Sequence, residues 1–400
     1  MRTEIEQAKD RLEREALANF AHHKVAGLQV SLPTVLRYAR HRTERERHAL
    51  VWLFNYTHNV ARCTGEQLLN GFDHAIRISG GITIKLPARE RLALTRDHLR
   101  ACLTDPDADL GVFVRAVERY RAAFEAFIPA LVKTRVDAIA GEAFDYAAAA
   151  GPAMVELLGK NRTGKSECLR LRWLRNLHRC VWVECPAAND YRSFAAELAR
   201  PLGIGTDGST RAGLLTQQLK ACFGPHGIDV LIMDEAHRLW PPKIQAKPLR
   251  IELERELYAD GRGCSILNVA TYQFTESLNR ALEQNARWAP GQYQGRVTPF
   301  HLPAQMPERD LRAVAAHYAG GAIEPEAVAT LVDAARSTEG YCGLMVNVIK
   351  RARLRAGAGV ITDALVVDIV SDFVRGTRLD QLAEAKAMGR NSKFQKPNSK

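Results

Sequence analysis

The chain has 400 residues, 46% of them hydrophobic and 25% charged; this allows two or three domains with cores of their own and excludes extended disorder over most of the length. Fifty-six Lys and Arg against 45 Asp and Glu leave a net charge of +11, so a polyanionic partner is expected, but charge alone does not separate nucleic acid from an anionic membrane surface or a generally basic soluble protein. No stretch reaches the ~20 apolar residues of a membrane span, the opening MRTEIEQAKDRLEREAL has no apolar signal core, and the eight cysteines form no C-x-x-C pair. The expectation is a cytoplasmic protein with no membrane segment and mostly buried, reduced thiols.

In chain order, residues 1–134 are expected to form a helical domain, with apolar residues recurring every three or four positions in stretches such as VFVRAVERYRAAFEAFIPALV; a short ITIKL is the one candidate strand. Within it, Thr57–Phe72 could form two short helices about a turn, in the manner of a helix-turn-helix that binds DNA. Residues 1–150 carry 22 Lys and Arg against 19 Asp and Glu, so a partner-binding or oligomerisation role competes with that reading. Residues 135–304 change texture. Apolar runs at Ala153–Leu158, Cys180–Cys185, Ile228–Met233, Cys264–Thr271 and Thr298–Leu302 alternate with helix-length segments. Such alternation predicts an α/β fold, a doubly wound parallel sheet with right-handed crossovers. Residues 305–375 return to a helical pattern and predict a small all-helical lid. The basic tail, 376–400, has few apolar residues to bury and is expected to be disordered.

After the first of those runs comes Gly159-Lys160-Asn161-Arg162-Thr163-Gly164-Lys165-Ser166, a full G-x-x-x-x-G-K-[ST] phosphate loop. Its glycines let backbone amides close round a phosphate chain, and the helix that begins there adds partial positive charge. Gly159, Asn161, Arg162, Thr163, Gly164, Lys165, Ser166 and Glu167 are therefore expected to hold ATP, with Lys165 on the β- and γ-phosphates and Ser166 on Mg²⁺. Arg162 is unusual in such a loop and is alternatively just solvated.

The second half of such a site is an acidic pair at the end of a buried strand. Val230–Met233 leads into Asp234-Glu235-Ala236-His237, which assigns Asp234 to the Mg²⁺ shell and Glu235 to polarising the attacking water. A helix cap carrying two acids is the alternative. The third long run closes in Ala270-Thr271-Tyr272-Gln273, where Thr271 is the first choice for a polar strand tip near the γ-phosphate, with Asn268 as its rival. Trp240, soon after the acidic pair, either packs on the core or makes a contact between protomers.

Phosphate loop, Asp-Glu strand end, polar strand tip and helical carboxyl-terminal segment together resemble an AAA+ ATPase over roughly residues 135–375. DEAH also occurs in helicases, but those need two tandem cores and this chain has one. Within AAA+ proteins the chain is similar to the transposition target-capture ATPases of the MuB, TnsC and TniB type. The helical amino-terminal region, the lead-in VKTRVDAIAGEAFDYAAAAGPAMVELLGKNRTGKSE, the DEAHRLW segment and QGRVTPFHLP carry this resemblance. It implies a homo-oligomeric ring or helical filament on double-stranded DNA, with a transposase and a target-selector protein as partners. It also implies an arginine reaching the γ-phosphate of the neighbouring protomer. Arg296 occupies the expected position and Arg287 is the runner-up. Where a lid arginine would fall, Gly340-Tyr341-Cys342-Gly343 places glycine, a departure from the family pattern that fits slow, switch-like ATP hydrolysis.

By the same resemblance, the glycine-rich loop Gly203–Gly213 would face a central channel, with Thr210, Arg211, Arg200 and Lys220 as candidate DNA contacts; a plain connecting loop is the alternative. The basic run Lys350–Arg355 and the arginines at 170, 172, 175 and 179 read either as solvated faces or as phosphate-tracking groups. Two further function classes fit the nucleotide motifs: an anti-phage NTPase sensor acting on a protein effector, and a helicase-loader or initiator-like protein.

Overall fold

The computed structural model describes residues 31–374 apart from 72, 78–82, 88, 106, 188–189, 206–211, 225, 241–245, 247, 259–262 and 339–340. Thr210, Arg211, the charged opening segment and the expected disordered tail lie outside the described residues. The chain divides into two compact units. One takes the residues up to Pro129 with Glu142–Leu158 and Leu169–Phe300. The other takes Ala130–Gly141, Gly159–Cys168 and the residues from His301 onward.

The first unit opens with α1 (Leu32–Tyr38) and α2 (Glu44–Asn55). Thr43 and Glu46 form a reciprocal capping box at the start of α2, satisfying amide donors that a helix end leaves open. The last seven residues of α2, Ala49–Asn55, are all buried, and the helix then loosens into a π-helical turn over Tyr56–Ala61. Arg62, in the left-handed region at φ 50°, ends that turn, and a second capping box at Thr64 and Gln67 starts the six-residue α3 (Gly65–Asn70). Two helices about a turn therefore do occur over the candidate helix-turn-helix segment. Next come the antiparallel pair β1 (His74–Arg77) and β2 (Thr83–Leu86), then α4 (Arg96–Thr104) and α5 (Gly111–Ala126). β2 is the expected ITIKL strand; its partner β1, only four residues long, offers too little alternation to be recognised alone.

α2 and α5 pack through an aromatic cluster. Trp52 stacks on Tyr56 at 4.9 Å, and Tyr120 and Phe124 meet Tyr56 edge-on at 5.4 and 5.0 Å. The two buried tyrosine hydroxyls satisfy each other at 3.1 Å. Side chains then tie these helices to later elements of the same unit. Asn55 donates to the Leu177 carbonyl (2.6 Å), Asn59 to that of Pro201 (2.9 Å) and Arg121 to that of Arg175 (3.1 Å).

After α6 (Arg135–Ala149), the five apolar runs become β3 (Met154–Leu158), β4 (Cys180–Glu184), β5 (Val230–Asp234), β6 (Ser265–Ala270) and β7 (Val297–His301). Their order is β4-β5-β6-β3-β7, with β3/β6, β4/β5 and β5/β6 paired in parallel. β3, β5 and β6 are buried along their whole length, which is why they read as unbroken apolar runs rather than alternating ones. α7 (Lys165–Arg175), α8 (Tyr191–Ala199), α9 (Ala212–Lys220) and α10 (Leu249–Tyr258) lie in the connections from β3 to β6. α11 (Gln273–Glu283) and α12 (Pro290–Gln294) lead to β7. Seven of the eight cysteines are buried and all are free.

In the second unit α13 (Glu308–Ala319), α14 (Pro325–Ser337), α15 (Tyr341–Ala356) and α16 (Asp363–Val374) pack on one another as the expected helical lid. The basic run on α15 is largely spent inside this unit: Arg351 pairs with Asp372 (2.8 Å), Arg355 with Asp368 (2.5 Å), and Arg353 donates to the Gly359 carbonyl (2.9 Å).

Phe124 is fully buried in the aromatic cluster. Phe124→Ala is expected to cost about 3–5 kcal/mol of stability through lost burial and the cavity left behind, measured as a lower midpoint in denaturant titration of the full chain.

Candidate functional site: a phosphate loop and an acidic strand end

The parallel pairing brings three strand ends to one edge of the sheet. Leu158, the last residue of β3, pairs in register with Ala270, and Met233 pairs with Asn268, so β6 lies between the strands ending at Leu158 and Asp234. Each strand continues into a residue expected to act on nucleotide: Gly159 after β3, Thr271 after β6 and Glu235 after β5.

The loop from Gly159 is shaped by its own unit. A Cβ on Gly159 would lie 2.8 Å from the Leu302 side chain, so no larger residue fits there without displacement. Arg162 (φ 61°) and Gly164 (φ 95°) both take left-handed backbone, the conformation that curls successive amides into a concave, anion-accepting turn. Lys165, 8% exposed, donates from Nζ to the carbonyls of Gly159 (2.9 Å) and Lys160 (2.7 Å), so its ammonium is held across the loop. Thr163 is buried, its hydroxyl donating to the Lys160 carbonyl. Asn161 and Arg162 are exposed, while Ser166 and Glu167 lie half-buried in the first turn of α7.

The lid touches this loop inside the second unit. The Gly343 amide, in the first turn of α15, donates to the Arg162 carbonyl at 3.3 Å. A Cβ on Gly343 would sit 3.1–3.3 Å from the Arg162 stem. Lys160 Nζ lies 3.5 Å from the Tyr341 hydroxyl and 5.9 Å from its ring centroid. The glycine noted in place of a lid arginine is thus packed directly on a loop arginine.

In the first unit, Asp234 closes β5 at 7% exposure and its Oδ1 accepts the Glu235 amide (3.0 Å). Glu235 takes left-handed backbone at φ 56°, unusual for a non-glycine residue and frequent at functional turns. Its carboxylate is half-buried, 3.5 Å from His237 Nδ1 and 4.0 Å from Arg238. Arg238 also donates to the Cys185 carbonyl (2.8 Å) and pairs with Glu184 (3.4 Å), linking the ends of β4 and β5. Thr271 is buried and its hydroxyl has no hydrogen-bond partner among the described residues. Arg296 is half-buried, donating from its guanidinium to the Gln292 carbonyl (2.7 Å), whereas Arg287 is exposed. Of the candidate DNA contacts, Arg200 pairs with Glu197 (2.5 Å) and Lys220 with Glu256 (2.8 Å); both are exposed.

Asn268, the rival to Thr271, is committed elsewhere. Its amide donates to Glu254 Oε1 (2.5 Å) and to the Tyr293 hydroxyl (3.2 Å) deep in the sheet. Glu156 of β3, 5% exposed, shares this cluster through Tyr293. The only sequence signal for it was one carboxylate inside the apolar run MVELL. Burial pushes the Glu156 carboxyl up to about 7 and that of Glu254, which is 0% exposed, up to about 8; hydrogen bonds from Tyr293 and Asn268 offset only part of that shift. Trp240 is buried against Phe274, Trp288 and Tyr293 at 5.2–5.9 Å, as the core-packing reading expects.

Residues 149–278 match the family model described as an AAA domain. No curated protein matches the chain. Among solved structures, it is similar to the Thermotoga maritima RuvB Holliday junction branch migration motor, at 16% identity over 60% of this chain and 68% of that one, TM-score 0.37. It is also similar to Cdc6p from Pyrobaculum aerophilum, at 17% identity over 57% and 63%, TM-score 0.43. A third similarity is to NtrX from Brucella abortus in complex with ADP, at 17% identity over 74% and 66%, TM-score 0.45. The chain spans less than two thirds of the Cdc6p and NtrX chains. It carries an AAA-family domain, and its α/β fold is an AAA+ P-loop core with helical flanks.

The two buried carboxyls make stability depend on pH. Folded values near 7 and 8 lie above the ordinary carboxylate range of about 4.3. The folded chain therefore binds more protons than the unfolded one between these limits, and stability falls as pH rises from about 4.5 to 8. Glu254→Gln, which keeps the acceptor and cannot ionise, is expected to flatten that decline in denaturant titrations at stepped pH.

Proposed function

We propose that this protein is a slow, switch-like ATPase that assembles as a homo-oligomeric ring or helical filament on double-stranded DNA. In this reading it recruits or activates a DDE-type transposase, with a target-selector protein as a further partner, and hydrolysis drives disassembly. The observation that carries the ATPase reading is the succession of phosphate loop, polar tip and acidic pair on three neighbouring parallel strands.

The donor set suits a nucleotide with its metal. Lys165 and the left-handed turn at Arg162 and Gly164 present cationic and amide groups, and the Ser166 hydroxyl and Asp234 carboxylate are hard oxygen donors of the kind Mg²⁺ prefers. When bound, Mg²⁺ would supply charge neutralisation at the phosphate oxygens. Lys165 would exchange its two loop carbonyls for β- and γ-phosphate oxygens. Glu235 would orient and accept a proton from the attacking water, with His237 and Arg238 holding the carboxylate. The unpartnered Thr271 hydroxyl is free to bond that water or the γ-phosphate. Arg296 would act on the nucleotide of the neighbouring protomer.

DNA engagement rests on the net charge of +11 and on the resemblance to target-capture ATPases. Arg200, Thr210, Arg211 and Lys220 would track backbone phosphates, the exposed pairs of Arg200 and Lys220 opening to do so. The helical domain 1–134 would bind a protein partner. That choice is supported by α3 being only six residues long with Gly65 and Leu68 buried, and by the π-helical turn after α2 being bonded through His58 and Asn59 to the carbonyls of Arg200 and Pro201.

Lys165→Ala is expected to abolish ATP uptake in a calorimeter and, with it, assembly on duplex DNA. Glu235→Gln should retain ATP, hydrolyse it about 10²–10⁴-fold more slowly, and persist on DNA in mobility-shift assays. Electron micrographs showing only monomers with an ATP analogue and duplex DNA would refute the assembly.

A further inference from the structure

The buried cluster beneath the strand ends ties together segments that the nucleotide chemistry uses one by one. Glu156 stands two residues before the end of β3, and Asn268 three residues before Thr271. Glu254 belongs to α10, which follows the acidic pair, and Tyr293 stands three residues before Arg296. All four side chains are buried.

Hydrogen counting shows why Tyr293 is central. Asn268 uses one amide hydrogen on Glu254 and directs the other at the Tyr293 oxygen. The phenol has one proton of its own, which faces the carboxyls of both Glu156 and Glu254; the bond to Glu156 is the one that also raises the phenol's own affinity for that proton. Tyr293 thus accepts from β6 and donates to β3, pinning α12 to two sheet strands at once. Its ring is held as well, 5.9 Å from Trp240, which follows the acidic pair, and 6.1 Å from Phe274, three residues beyond Thr271. From there to Arg296 is a single turn. The Arg296 amide donates to the Tyr293 carbonyl (3.0 Å) and its guanidinium to that of Gln292 (2.7 Å).

Packing alone does not call for this arrangement, because a phenylalanine would fill the same volume without placing a hydroxyl between two buried carboxyls. We propose that Tyr293 is a positioning residue for hydrolysis: its hydroxyl, fixed by Glu156 and Asn268, sets the arm from which Arg296 reaches a neighbouring protomer's nucleotide. The inference rests on the reading of Arg296 given above. It links the strand ends of one site to the arginine serving the next.

The test compares steady-state hydrolysis by full-length assembled protein, ATP dissociation constants and thermal midpoints for four variants. Tyr293→Phe is expected to keep its ATP affinity within about twofold and lose about tenfold in kcat, the pattern of an interaction made only in the transition state. Arg296→Ala should lose more, and the double variant no more than Arg296→Ala alone. Glu156→Leu matches its apolar neighbours in β3, so the strand should stay folded, and it should reproduce the kcat-selective loss from the other side of the hydrogen bond; it decides the matter should Tyr293→Phe fail to fold. Wild-type rates in Tyr293→Phe or in Glu156→Leu, or multiplicative losses in the double variant, overturn the positioning role while leaving Arg296 in place. A wild-type rate in Arg296→Ala removes the arginine's role and the inference with it.

Discussion

The parallel pairing of β3, β6 and β5 is the constraint on which the rest depends. Parallel strands cannot be joined by a tight turn, so each returns through a long crossover and all their carboxyl ends share one edge. Register then decides which residues meet there. With Leu158 opposite Ala270 and Met233 opposite Asn268, the chain leaves all three strands at nearly the same level. A one-residue slip would reverse every side chain on a strand and drive Glu156 and Asn268 out of their shared cluster. The polar cluster thereby makes the register costly to change, in a sheet whose apolar residues alone would tolerate several alignments.

Two backbone features convert strand ends into chemistry. Left-handed residues at Arg162 and Glu235 are each unfavourable for a side chain bearing a Cβ, by about 1–2 kcal/mol. Surrounding contacts hold both: the Gly343 amide on the Arg162 carbonyl, and the Asp234 carboxylate on the Glu235 amide. In the loop, Lys165 is already gathered onto two carbonyls, so its position is largely set before any ligand arrives, and a phosphate need only exchange acceptors. Glycine at 343 lets α15 lie close to this loop, since a Cβ there would require the Arg162 stem to give by a few tenths of an ångström.

What was legible in the sequence was local. Five apolar runs became five strands; three of them, β3, β5 and β6, are buried along their whole length and so need no alternation, and the G-x-x-x-x-G-K-[ST] spacing followed the first. The acidic pair was legible for the same reason: it ends a run of four apolar residues. What escaped was set by tertiary partners. β1 is a strand only because β2 pairs with it. The π-helical turn at Tyr56–Ala61 sits where Tyr56 packs with Trp52 and Tyr120, contacts that residue spacing does not reveal. The arginines of α15 looked like a free cationic face, yet Asp368 and Asp372 on α16 answer two of them. Sequence ranks Thr271 ahead of Asn268 but does not show where the amide goes; a three-residue offset separates a buried structural amide from an unpartnered hydroxyl at the strand tip.

The buried cluster shows most clearly why burial and direction have to be weighed separately. Two carboxyls lie in the sheet interior, and among the described residues no basic side chain acts on either of them. Removing them from water costs several kcal/mol per ion if they stay charged, so the fold instead raises their affinity for protons. An apolar set at the same positions would avoid that cost and pack equally well. What it could not supply is direction: dispersion contacts let a ring slide by a fraction of an ångström at little penalty, whereas a hydroxyl caught between an amide donor and a carboxyl acceptor has one satisfactory position. At Tyr293 that position is passed on through a single helical turn to Arg296, so a net cost in solvation yields a fixed reach for a cation three residues away.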